Sequence, residues 1–192
     1  MAEQDREVAT LERLLELSGL LNSTLKLDEL LATIMSATTE LTEAETSSLL
    51  LLDEGADELI VTVATGTPGE AVVQQRVPAG AGIAGWVVEN SDSVVVEDAK
   101  SDSRFYSGID EKTGFETRSI LAVPMTTRER TIGVIEAINK RDGSFDDRDA
   151  KVATALANHA AIAIENAQLY ARLADAVVTS RLAYRTYGDT VA

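Results

Sequence analysis

Cysteine is absent from this chain of 192 residues. Without a thiol there is no disulfide, no thiolate metal site, no cysteine nucleophile and no thioether-attached chromophore. Histidine is nearly absent too: His159 stands alone. It lies among Ala155, Leu156, Ala160 and Ala163 at core-like helical spacing, so it reads as a helix-packing residue, and neither a Ser-His-Asp arrangement nor a metal cluster assembles around it. Basic residues are scarce, 17 against 32 acidic ones, for a formal charge of -15. That balance argues against a nucleic-acid backbone or an anionic membrane as partner, because both need clustered Lys and Arg. The opening MAEQDREVAT lacks the basic-then-apolar order of a secretory signal, and no apolar run approaches the roughly 18 residues that span a bilayer. A cytoplasmic location is expected. The adjacent carboxylates Glu97 and Asp98, or Asp146 and Asp147, suit turns and caps, so no catalytic machinery, metal or cofactor is expected.

What is present is a core: 45% of the residues are hydrophobic, enough for one compact domain with length left over for terminal helices. Between Val8 and Leu25, leucines 11, 14, 15, 17, 21 and 25 recur at helical spacing. Leu11, Leu14, Ser18, Leu21 and Leu25 step by three and four residues, as a coiled-coil seam does, or as a helix lying on its own domain would. Asp28 is expected to start a second helix, with Leu30, Leu31, Ile34, Met35 and Leu41 facing a core. Thr46 to Leu52 and Glu58 to Ala64 read as a hairpin, Ala71 to Val77 as a third strand stopped by Pro78, and Ser93 to Glu97 as a fourth. Such short connections predict antiparallel order.

Gly80, Gly82 and Gly85 have the spacing of a dinucleotide-binding loop, with Asp102 about 20 residues beyond. The setting is wrong for one: Gln74, Gln75 and Arg76 occupy the preceding strand, Pro78 separates strand from loop, and the helix ends by Asn90. A glycine turn feeding a short helix is the better reading, with Trp86 as a packing residue. Asp98 to Glu116 is polar and glycine-punctuated and carries Phe105, Tyr106, Ile109 and Phe115. It is expected to be a loop with a short helix, and long segments of this kind inside compact domains are often functional lids.

The densest signal runs from Arg118 to Ala163. RSILAVPM and TIGVIEAINK form a predicted hairpin around TTRER, Asp142 and Gly143 make a turn, and Asp146 caps the next helix while Asp149 reaches back to it. Lys140 is placed to bridge to that acidic end. The helix is expected to continue through Glu165, Leu169, Leu173 and Val177 toward Tyr184, leaving TYGDTVA frayed.

Asn139, Lys140, Phe145 and Asp149 match the spaced Asn, Lys, Phe, Asp, Glu signature of cyclic-nucleotide-binding GAF domains, and this chain resembles that family of ligand-sensing, dimerising modules of signalling proteins. Ala150 stands where the family's Glu would be. We read the four matching residues as structural, fastening a strand end to a helix start. The resemblance covers roughly residues 28 to 170. It implies an α+β, profilin-like fold with a central antiparallel six-stranded sheet and long terminal helices, divided into an N-terminal helix (1–27), a GAF domain (28–170) and a C-terminal helical extension (171–192). It further implies a pocket in which Asp98, Arg104, Phe105, Thr117 and Ser119 border a small molecule; the competing reading packs Phe105 in the core and pairs Arg104 with Asp98 or Asp102. The function so implied is a regulatory sensory module relaying a small molecule or partner domain to a downstream effector through a homodimer. The alternatives are a ligand-free dimerisation module, a cyclic-nucleotide-binding module and a nucleotide-dependent enzyme. The cysteine-based reduction of methionine sulfoxide found in some relatives is excluded by composition.

Overall fold

The computed structural model describes residues 27–53, 55–67, 69–128 and 130–188. The expected N-terminal helix, with its Leu11, Leu14, Ser18, Leu21 and Leu25 seam, lies outside them. The elements in chain order are α1 (Leu27–Leu41), β1 (Ala44–Asp53), β2 (Glu58–Ala64), α2 (Gly69–Val72), β3 (Arg76–Pro78), α3 (Gly82–Asn90), β4 (Val94–Val96), a 3-10 turn (Ala99–Ser101), α4 (Gly108–Thr113), β5 (Ile120–Thr126), β6 (Thr131–Lys140) and α5 (Asp147–Gly188). The six strands form one sheet in the order β3-β2-β1-β6-β5-β4. Every neighbouring pair is antiparallel.

Alternation along the central strands sends side chains to two separate cores. Leu49, Leu121, Val123, Met125, Ile135 and Ala137 face α1 and α5, which contribute Leu31, Ile34, Met35, Val152, Leu156 and Ala160. The opposite side chains, Leu50, Val61, Ile120, Ala122 and Val134, pack beneath Ile83, Ala84 and Val87 of α3. Each large aliphatic side chain so buried contributes about 1.5–3 kcal/mol of transfer free energy. Asp28 and Glu29 in the first turn of α1 complement its dipole.

Two expectations need correction. Ala71 to Val77 is not a strand: Gly69–Val72 forms a helical turn, Gln74 adopts φ 69°, and only Arg76–Pro78 pairs, as the edge strand β3. Contacts from across the chain decide this, because Gln74 N donates to Val61 O (2.8 Å) and Val61 N to Gln75 O (3.0 Å). Pro78 sits within the strand, which an edge permits. At the other end, α5 runs to Gly188, into the tail expected to fray. The glycine loop is explained sterically. Gly82 opens α3 at φ +75°, and a Cβ on Gly85 would lie 2.5 Å from Ala79 O, so the helix packs directly on its own entry turn.

The corner between β6 and α5 is closed by polar side chains. Asn139, 1% exposed and at φ 61°, uses its whole amide. Its Oδ1 accepts from Arg118 N (2.7 Å) and Ser119 N (3.3 Å), while Nδ2 donates to Glu45 Oε2 and Glu116 O (both 2.9 Å). Lys140 Nζ donates to Asp149 Oδ1 (3.0 Å) and Thr42 O (2.8 Å) and lies 5.8 Å from the Phe145 ring centroid. Asp146 Oδ1 accepts from Arg148 N and Asp149 N (both 2.9 Å), and Asp149 Oδ2 accepts from Asp146 N (3.1 Å). That reciprocity is a capping box with aspartate in the usual Glu position.

Asp149 is 2% exposed and paired with Lys140 Nζ at 2.9 Å. Removing one partner of a buried pair strands the other; with the cap bonds to Asp149 retained, Lys140→Ala is expected to cost about 3 kcal/mol while preserving the fold. Urea denaturation checks this, and an unchanged midpoint would show that the bridge contributes nothing.

Candidate functional site

A cavity of ≈ 90 Å³ lies on the α3 face of the sheet. Its floor is the middle of the sheet, with Thr46, Ser48 and Leu50 from β1 and Glu136 and Ile138 from β6. One wall is the start of α3, Gly82 to Ala84. The roof is the segment between β4 and β5, which contributes Phe105, Tyr106, Ile109, Asp110, Phe115 and Thr117. This is the stretch in which the sequence places a loop with a short helix. Asp110 of α4 pins it to the sheet by accepting from Thr117 N and Thr117 Oγ1 (both 2.8 Å).

Of the five residues the resemblance placed around a ligand, the structure brings two, Phe105 and Thr117, to the cavity. The other three are engaged elsewhere. Asp98 is exposed and accepts from Ser101 Oγ (2.6 Å) across the 3-10 turn, which lowers its pKa. Arg104 makes a two-pronged pair with Asp102 (2.9 and 2.7 Å) and lies 4.8 Å over the Trp86 ring. The guanidinium holds the Asp102 carboxyl down at about 2. Ser119 braces the Asn139 corner, its Oγ accepting from Lys140 N (3.1 Å). His159 packs on α5, partly buried, with no hydrogen-bond partner for its Nδ1 among the described residues.

The residue the sequence reading missed is Glu136. It is the single charge within TIGVIEAI, a run otherwise apolar on both faces, and such a strand is covered on both sides. Facing Ser48 on β1 and Ala122 on β5, it sits near the centre of the sheet. Its Oε2 accepts a long hydrogen bond from Ser48 Oγ, at 3.3 Å. Burial pushes its carboxyl up to about 7, a shift the Ser48 bond opposes but does not cancel.

The folded protein holds a proton on Glu136 that the unfolded chain releases near 4.5, so this group's stability contribution is present below pH 4.5 and lost as pH rises through 7. The depressed carboxyls of Asp102, Glu45 and Asp146 act at lower pH and in the opposite sense. Glu136→Gln is therefore expected to stabilise the protein by about 1–3 kcal/mol at pH 8, and not at pH 4.5. Chemical denaturation of both proteins across that range checks it; a difference independent of pH would refute the assignment.

The family profile described as GAF domain matches residues 24–165. A probable 3',5'-cyclic phosphodiesterase pde-5 of Caenorhabditis elegans is 30% identical over 156 residues, covering 77% of this chain and 21% of that protein. The dual 3',5'-cyclic-AMP and -GMP phosphodiesterase 11A of Takifugu rubripes is 41% identical over 99 residues, covering 50% of this chain and 11% of that protein. The chain thus spans about a fifth or less of the length of these relatives. Among solved structures, the GAF domain of a phosphoenolpyruvate-protein phosphotransferase from Coxiella burnetii superposes with a TM-score of 0.76 at 20% identity, covering 85% of this chain and 96% of that one. The matched residues take in α1, all six strands and the start of α5, and the chain belongs to the GAF domain family, as a sensory regulatory module.

Proposed function

We propose that this module senses a small molecule in the cavity between sheet and roof, and relays its presence through the terminal helices of a homodimer to an effector. The carrying observation is the cavity, apolar over most of its wall and furnished with a few polar groups, Ser48, Glu136 and Thr117. That is the usual make-up of a small-molecule site. The module is read as regulatory and not catalytic, working in the cytoplasm, with residues 28–170 forming the sensor and 171–192 a helical extension.

The dimer reading rests on α5. Ile162, Leu169, Tyr170 and Leu173 are 50%, 50%, 74% and 61% exposed. Ile162, Leu169 and Leu173 repeat by seven and four residues, which puts them on one face of the helix. A second copy of this chain would cover that stripe. The ligand-free dimerisation alternative draws on one observation, the size of the cavity, which is below the roughly 300–1,000 Å³ of drug-sized sites.

A ligand that binds only the folded state must raise its stability, by about 2.7 kcal/mol at a hundredfold excess over Kd. Thermal-shift screening of metabolite classes, with mass spectrometry of molecules that copurify, is expected to find at least one stabilising compound. An entirely flat screen with nothing copurified would favour the ligand-free reading. In parallel, the Leu169→Glu, Leu173→Glu double variant is expected to sediment as a monomer where the parent sediments as a dimer.

A further inference from the structure

The charges around the cavity are all of one sign. Glu136 and Asp110 line it, and among the described residues no Lys, Arg or His does. Asp110 already has both oxygens engaged, by Thr117 N and Thr117 Oγ1. Glu136 does not: Oε2 accepts the long bond from Ser48, and among the described residues no hydrogen bond reaches Oε1. The neighbouring cations are held elsewhere, Arg104 by Asp102, Arg118 by Glu45 and Lys112 by Gln75. A carboxyl group with spare acceptor capacity thus faces a space otherwise walled by Leu50, Val61, Ile83, Phe105 and Ile120.

We propose that the cavity selects a compact ligand with an apolar body and a cationic, hydrogen-bond-donating head of the alkylammonium or amidinium class, and that Glu136 receives that head. The proposal rests on the sensory reading above and adds the chemistry of what is sensed. An anionic ligand such as a nucleotide phosphate would meet two carboxyl groups and, among the described residues, no cation. The feature that would favour an anion is the first turn of α3, equivalent to only ~0.5 of a positive charge, against the whole charge that Glu136 carries once ionised. Size points the same way, because ≈ 90 Å³ suits a ligand of few heavy atoms. Binding should also depend on pH. The other titratable groups bordering the cavity are Asp110 and Tyr106, on the roof, and β1 and α3 add none. With the Glu136 carboxyl near 7, a cation binds its ionised form and meets a protonated acceptor at lower pH.

The test uses three probes of similar size, n-butylammonium, n-butanol and butyrate, titrated at constant ionic strength and pH 8 into isotope-labelled protein and followed by amide chemical shifts. The expected result is saturable shifts around Ser48 and Glu136 with n-butylammonium, at an affinity at least tenfold above that of either other probe. That affinity should fall about tenfold between pH 8 and pH 6, as protonation of a group near 7 requires. It should also be lost in Glu136→Gln, whose folding is verified by its own amide spectrum. Ser48→Ala, which leaves the carboxylate in place, should retain binding. Equal or tighter binding of n-butanol or butyrate, or undiminished n-butylammonium binding by Glu136→Gln, would overturn the charge selection and leave the sensory reading standing. No saturable shift from any probe, together with a flat thermal screen, would overturn both.

Discussion

The constraint on which the rest of this structure depends is that the middle of the sheet is covered on both faces. β1 and β6 lie at its centre, with α1 and α5 against one side and α3 and the β4–β5 segment against the other. Nearly every side chain on these strands must therefore be apolar, paired, or part of a site. Asn139 and Lys140 are paired: the amide of Asn139 makes four hydrogen bonds and the ammonium of Lys140 reaches Asp149 and Thr42. Glu136 is neither apolar nor fully paired, and it opens on the cavity.

The Asn139–Lys140 corner joins three parts of the fold. Asn139 leaves the strand in the left-handed region, a conformation asparagine tolerates better than most residues. That turn lets its side chain tie together the start of β5, the start of β1 and the end of the β4–β5 segment. Lys140 then fixes the N-terminus of α5. None of the four motif residues lines the cavity, so the corner sets the relative positions of sheet, roof and helix without touching what lies between them.

Legibility in the sequence followed the range of the interactions involved. β2 and β6 are found at the boundaries their apolar patterns suggest, and the capping box at Asp146 and Asp149 is local enough to read from spacing. Where distant backbone decides, the pattern misleads. AVVQQRV looks like a strand, yet Val61 holds Gln74 and Gln75 in a bent path. The site behaved likewise. Phe105 and Thr117 belong to the β4–β5 segment that the resemblance sets over a pocket and that forms its roof, whereas Arg104 of the same segment pairs with Asp102 and Ser119 accepts from Lys140 N. The signal for Glu136 was present, as one carboxylate in an apolar run. It becomes meaningful only once β6 is known to be an inner strand, since at an edge the same residue would simply face water.

The alternation that creates two cores also sets the cavity and the helices against opposite faces of the same strands. Thr46 and Ser48 border the cavity, while Ser47 between them points to the other face, donating from Oγ to Met35 O of α1 (2.9 Å) and sharing a hydroxyl cluster with Thr39 and Thr65. On β6, Glu136 borders the cavity while Ile135 and Ala137 pack in the core that includes α5. Cavity and helices are thus separated by one strand layer. A ligand changes the helices only to the extent that it binds two arrangements of these strands unequally. The Ser48–Glu136 contact is where that inequality can arise. A cationic head drawing the carboxylate toward itself competes with a long hydrogen bond that spans these two strands, whereas a purely apolar occupant would fill space without acting on it.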